Sequence, residues 1–233
     1  MRSIWRTLDA GLWRGVLAIA AAAAVNGASF GAIAVAAGLP LWVPVVMSLL
    51  VFAGGSQYLV VGVVAAGGSP IAAVLGGLVL NARHLPFGLA VGEVVGNGWG
   101  ARLLGSHLLI DESVAFAMAQ SDRVRARAAY WACGGSLFIA WNVGVAAGAL
   151  AGTLVDDPSK LGLDAVFPAV MLALVLPALK EAGKWRPALL GAAAALATTP
   201  FLPAGVPVLV ALVGLLAVPR RADETDQPEA VTA

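Results

Sequence analysis

The sequence predicts an all-α integral membrane protein, a polytopic bundle of seven or eight transmembrane helices. Three observations point to this class. Of the 233 residues, 60% are hydrophobic and only 12% charged, with a mean hydropathy of +0.90, too apolar for a soluble domain of this size. The apolar residues fall in runs of the length that a hydrocarbon core of about 30 Å demands at about 1.5 Å per helical residue. The basic residues gather in alternate loops, as they do in membrane proteins of fixed orientation. Lys and Arg total 14 against 13 Asp and Glu, which leaves no broad basic surface for nucleic acid. The single cysteine, Cys133, has no partner for an intrachain disulfide and no Cys/His cluster around it.

Taken in order, spans are expected at 15–36, 43–66, 70–92, 101–120, 128–152, 163–179, 187–202 and 204–218. Arg2, Arg6 and Arg14 precede the first. A cleaved signal peptide ending near Gly27-Ala28-Ser29 is the alternative there, disfavoured because apolar sequence continues well past it. Gly38-Leu39-Pro40, Gly67-Gly68-Ser69-Pro70, Gly96-Asn97-Gly98 and Asp156-Asp157-Pro158 separate later spans, since each turns the backbone or denies it a donor. The last two spans are short and joined across Pro200 and Pro203, so a re-entrant hairpin over 187–218 is the alternative to two crossings. Arg123, Arg125 and Arg127 follow the fourth span, Lys180, Lys184 and Arg186 the sixth, and Arg220 and Arg221 the eighth. With the N-terminal arginines these mark one side as cytoplasmic and place both termini there. Trp5, Trp13, Trp131 and Trp185 then lie near inner ends, and Trp42 and Trp99 near outer ends. Residues 1–221 form one transmembrane domain, and 222–233, acidic and without an apolar face, a disordered cytoplasmic tail. A weak internal repeat relates Gly38-Leu39, Pro44, Val46-Met47 and Leu50-Val51 to Gly162-Leu163, Pro168, Val170-Met171 and Leu174-Val175.

Polar side chains inside these spans need a partner or a wet cavity. Span one carries Asn26, span two Gln57, span three Asn81, Arg83 and His84, span four Arg102, His107, Asp111 and Glu112, and span five Asn142. Depth counted along the helices puts Asn81 and Asp111 near the middle, with Arg83, His84 and His107 in the same layer. Spans three and four are expected to be antiparallel neighbours, which sets Arg83 or His84 opposite His107 or Asp111 and permits an ion pair. Asn81 and His84 share one face of their helix, as do His107 and Asp111 of theirs. Such a layer lines a cavity or glues the bundle; Arg, Asp and Glu together favour the cavity. Ala53-Gly54-Gly55-Ser56-Gln57 lets a backbone approach closely or unwinds the helix to offer free amides or carbonyls.

Enzyme readings fail. Gly96-Asn97-Gly98-Trp99-Gly100 lacks the Lys-Ser/Thr of a phosphate cradle, Ser56 has no Gly-x-Ser-x-Gly around it, and no His-x-x-x-His spacing offers a metal site. No cofactor is expected.

The segments Val46-Met47-Ser48-Leu49-Leu50-Val51-Phe52-Ala53-Gly54-Gly55-Ser56-Gln57, Leu80-Asn81-Ala82-Arg83-His84 and Asp111-Glu112-Ser113 resemble the AzlC (YgaZ-like) family, the large subunit of bacterial branched-chain amino-acid exporters. Gly162-Leu163-Asp164 followed by Phe167-Pro168-Ala169 is similar to the family's later motif, and the resemblance runs from about residue 15 to 215. Gly55-Ser56 and Ala82 depart from its pattern. The resemblance implies a multi-pass protein of the bacterial inner membrane that exports valine, leucine, isoleucine or other hydrophobic amino acids such as methionine. It also implies a small, separately encoded AzlD-like membrane subunit as partner.

With that implication the polar layer acquires expected roles. Arg83, or amides near Gly54 and Gly55, would take the substrate carboxylate. Asp111 or Glu112 would face its ammonium, and Gln57, Asn81 and Asn142 would add neutral hydrogen bonds. Proton antiport would run through His84, His107, Asp111 and Glu112. A non-transporting membrane scaffold and a channel for another small solute remain the competing readings.

Overall fold

The computed structural model describes residues 8–154, 172, 176, 179–180, 185–203 and 205–218. Contacts divide the chain at residues 171 and 172 into two compact units. Among the described residues every regular element is a helix. Apart from isolated positions, the expected span 163–179, the second copy of the repeat, the 156–158 break and the tail 222–233 lie outside the described residues.

Two long helices frame the first unit: α1 (Ala10–Ala36) and α8 (Arg123–Gly152), of 27 and 30 residues, about 40 and 45 Å at 1.5 Å per residue. Both begin several residues before the expected spans because an aspartate caps each. Asp9 accepts from the Leu12 amide at 2.8 Å, and Asp122 from the Val124 and Arg125 amides at 3.0 and 2.9 Å, satisfying donors that a helix start leaves unpaired. The two helices run parallel and touch backbone to backbone. A Cβ on Gly144 would collide with the Ala24 carbonyl, one on Gly148 with that of Ala28, and one on Gly152 would stand 3.2 Å from Ala32 Cα. In lipid, where burial of apolar surface gives no drive to associate, such close packing of small residues is what binds helices together.

This pair provides a scale of depth, with an Asp9 end and an Ala36 end. The expected second span is broken into α2 (Trp42–Leu50) and α3 (Gly54–Ala65). It does not cross. Gly54 lies under the Trp141 ring, midway along α8, whereas Tyr58 reaches Asn26 and Phe30, nearer the Ala36 end. The chain thus enters from the Ala36 end, turns at Val51–Ala53 and returns. The third span does cross, as α4 (Pro70–Asn81) and α5 (His84–Val95) bent by 49°. Pro86 accounts for the bend: it has no N–H for the Ala82 carbonyl, which accepts instead from the Leu85 amide at 3.1 Å. The bent helix ends beside α8's start, where Glu93 pairs with Arg123.

The expected fourth span is a second hairpin, α6 (Trp99–His107) and α7 (Asp111–Met118). Its entry lies at Gly96 against Arg127, its tip at Leu108 against Gly134, and its return brings Phe116 against Gly15. It enters and leaves at the Asp9 end. The Gly96-Asn97-Gly98 turn and Trp99 therefore sit at the end where α1 and α8 begin, not at the opposite one. Crossing and hairpin fit the lengths: 9, 12, 9 and 8 residues in α2, α3, α6 and α7 give about 12–18 Å each, near half a hydrocarbon core. Two helices, or three counting the bent pair, are long and apolar enough to cross a membrane. Arg14, Arg102, Arg123, Arg125 and Arg127 all lie at the Asp9 end, and the described turns at the Ala36 end carry no Lys or Arg.

In the second unit, α9 (Trp185–Thr198) is followed by α10 (Val206–Val210), which tightens into a 3₁₀ helix over Ala211–Ala217. They form a hairpin, closed where Gly191 meets the Ala211 carbonyl and Gly214 that of Pro187.

Candidate functional site

The polar residues of the first unit divide into two groups, each built around a helix break. Gln57, 0% exposed, spans the break between α2 and α3. Its Nε2 donates to the carbonyls of Met47, at 3.3 Å, and Val51, and its Oε1 accepts from Trp141 Nε1 at 3.1 Å. The side chain therefore gives the carbonyls at the break a second donor, where lipid offers none, and fastens the hairpin to α8. Asn142 does similar work, donating to the Phe138 carbonyl at 2.8 Å and accepting from Ser48 Oγ at 2.6 Å. Tyr58 donates to the Asn26 carbonyl and side-chain oxygens, each at 2.9 Å. Gly54 is glycine for a steric reason: a Cβ there would stand 2.8 Å from the Trp141 ring. Gly55, next to it, is buried in the first turn of α3.

The second group lies where the α4–α5 bend meets the start of α7. Of the pairings expected between Arg83 or His84 and His107 or Asp111, Arg83 Nη1 and Asp111 Oδ2 form the ion pair, 3.0 Å apart, with side chains 38% and 41% exposed. His84 Nδ1–H donates to the Asn81 carbonyl at 2.9 Å. Asn81 and His84 do not share a continuous helical face, because Pro86 breaks the helix between them. Likewise His107 ends α6 and Asp111 begins α7, so no common face unites them either. Glu112 follows Asp111 in the first turn of α7, half-buried, where carboxylates suit the helix's positive end.

Three buried atoms in this group have no hydrogen-bond partner among the described residues: Asn81 Oδ1, Arg83 Nε and Asp111 Oδ1. Each such orphan is costly. Two are acceptors and one is a charged donor, which is the complement of an ammonium beside a carboxylate. No described hydrogen bond links this group to Gln57 or Asn142.

His107 joins neither set of hydrogen bonds. Its ring packs edge-on to Phe138, with centroids 5.3 Å apart, and lies 6.5 Å from Phe52, which itself meets Phe138 at 5.2 Å. Phe52 is in the turn of the first hairpin and His107 at the tip of the second. Arg102 lies at the Asp9 end, its Nε reaching the Gly96 carbonyl at 3.4 Å. Sequence reasoning missed Trp141 and Tyr58, and gave Ser48 and Ser113, though both stand in the quoted motifs, no role. A signal existed for the first two, since buried Trp and Tyr must find partners for their polar atoms. Ser113 Oγ accepts from the Ile110 amide at 3.0 Å and meets the Leu108 carbonyl at 3.1 Å, doing for the second break what Gln57 does for the first.

A family model described as AzlC protein matches residues 18–155, from α1 to just past the end of α8. No curated protein and no solved structure matches the chain.

Proposed function

Because this chain belongs to the AzlC family, a family associated with branched-chain amino-acid transport, we propose that it is a secondary transporter exporting valine, leucine, isoleucine and similar hydrophobic amino acids. The observation that carries the proposal is the set of orphaned atoms around the Arg83–Asp111 pair. A zwitterionic amino acid answers all three at once. Its ammonium donates to Asp111 Oδ1 and Asn81 Oδ1, and its carboxylate accepts from Arg83, whose guanidinium presents donors in a planar fork. An empty site holds its own charges together as an ion pair, and substrate divides them between its two ends.

Gln57, Gly54 and Asn142 act one step removed in this reading. Their groups are engaged in holding the first hairpin against α8, so they position the site's surroundings without touching substrate. Glu112 and His84, adjacent to the pair in sequence, and His107 and Asp111 are the candidate proton carriers for export against a gradient. A small AzlD-like subunit completes the transporter, and the arginine-rich Asp9 end faces the cytoplasm.

The test is efflux of labelled valine, leucine, isoleucine and methionine from preloaded cells, with the chain expressed alone and with a candidate small subunit. Saturable efflux lost in Arg83→Gln, with expression retained, is the expected result. No efflux from cells shown to hold both proteins in the membrane would refute the transporter and favour a scaffold. Efflux indifferent to collapse of the proton gradient would remove proton coupling.

A further inference from the structure

The two hairpins approach from opposite ends and meet in an aromatic contact among Phe52, His107 and Phe138. Their attachments differ. The first is tied to α8 by two side-chain hydrogen bonds near its turn, Gln57 to Trp141 and Ser48 to Asn142, and to α1 by Tyr58. The second is tied lower down, where Tyr130 donates to the Gly105 carbonyl at 2.7 Å. Beyond Gly105 its backbone is satisfied mainly from within, Ser113 Oγ reaching the Leu108 and Ile110 carbonyls and the Ile110 amide while also facing Tyr130 of α8. Among the described residues no hydrogen bond joins His107–Asp111 to α8 or to the first hairpin. What holds the tip is the burial of Leu108 and Ile110 in the core beside Cys133 and Leu137, with Leu108 close against Gly134, together with the ring contact and the ion pair of Asp111 with Arg83.

We propose that the segment His107–Asp111 is a ligand-coupled gate: the same five-residue tip that offers Asp111 to a ligand closes, through His107, against Phe52 and Phe138. A tip whose broken backbone is satisfied internally can move as a unit about the Tyr130–Gly105 tie without exposing unpaired groups to lipid. Its closed position is held partly by Arg83, so a ligand that takes Asp111 from Arg83 alters the free energy of closure directly. This is the differential interaction a conformational change requires. The first hairpin, fastened by Gln57, is the fixed surface against which the gate shuts. The ligand's identity rests on the transporter reading above; the coupling of tip to ion pair does not.

The experiment places a cysteine at Leu109, within the tip, in a Cys133→Ala background, and measures its modification by a membrane-impermeant thiol reagent in oriented vesicles. Ile110→Cys is a second reporter should Leu109→Cys fold poorly. Asp111→Asn, which breaks the pair without ligand, should change the modification rate about tenfold, the scale of a modest population shift. Saturating leucine should change it in the intact protein and have no effect in Asp111→Asn. A shift with Asp111→Asn but none with leucine supports the gate and refutes leucine as its ligand. Rates that move in neither case overturn the gate.

Discussion

Replacing Gln57 by leucine removes a side chain of similar size whose three hydrogen bonds fasten the first hairpin. The Met47 and Val51 carbonyls each keep another donor, the amides of Val51 and Ala53, both at 2.8 Å. They lose a second bond, and the indole N–H of Trp141, 5% exposed, loses its described partner. One stranded buried donor costs about 1–3 kcal/mol and each lost supplementary bond about 0.5–1.5 kcal/mol. Set against a gain from the apolar leucine, the net loss is about 2–4 kcal/mol. Removing the donor as well, in Gln57→Leu/Trp141→Phe, should recover about 1–3 kcal/mol relative to the sum of the single changes, because both partners of that bond are then apolar. Reversible unfolding in mixed detergent micelles, followed by circular dichroism, measures all four stabilities. Wild-type stability in Gln57→Leu, or strict additivity with Trp141→Phe, would refute the view that Gln57 holds the break.

Three further outcomes are expected. Gly148→Leu forces a side chain against the Ala28 backbone and should destabilise the fold by about 1–3 kcal/mol or more, whereas Gly135→Ala, with open space at its Cβ, should be neutral or gain up to about 1 kcal/mol; the same detergent titration compares them. Arg83→Gln and Asp111→Asn each leave a charge without its partner at half-exposed positions, so each should lose about 1–3 kcal/mol while the double variant loses less than their sum; all three should lose transport. At the Asp9 end, the Leu12 amide foremost and the Arg125 guanidinium hold the Asp9 carboxyl below its ordinary 3.8. Its contribution is complete above that value and is lost as pH falls through the lower folded one. Acid unfolding below about pH 4 should therefore be less steep in Asp9→Asn.

The membrane class, both long helices and the Arg83–Asp111 pair were legible because each rests on a local signal: length, apolar run, or a charge that lipid will not hold alone. Direction was not. Hydropathy cannot tell a span from a hairpin whose two arms together have a span's length, so residues 43–66 and 101–120 read as crossings. Local signs of the breaks did exist. Pro86 sits inside span three, and Asp111-Glu112 before a short apolar run is a helix start. The distinction between Gln57 and Asn81 was illegible, since both are amides at similar depth. Only the partners separate them, one engaged at both ends and the other with an oxygen to spare. Trp141 decided that difference, from a residue far along the chain.

The parallel run of α1 and α8 bears on how the protein is made. Helices adjacent in sequence ordinarily insert as antiparallel neighbours and can pair as soon as they emerge. Here the wall against which both hairpins lean leaves the ribosome after both of them. Until α8 arrives, α2, α3, α6 and α7 are half-length helices with an arginine and two carboxylates nearby, covered only in part by one another and by α4 and α5. Biogenesis must shelter these segments, by the insertion machinery or by one another, through most of translation. The bonds that fasten the first hairpin to α8, Gln57 to Trp141 and Ser48 to Asn142, are among the most distant in sequence, and so the slowest to form.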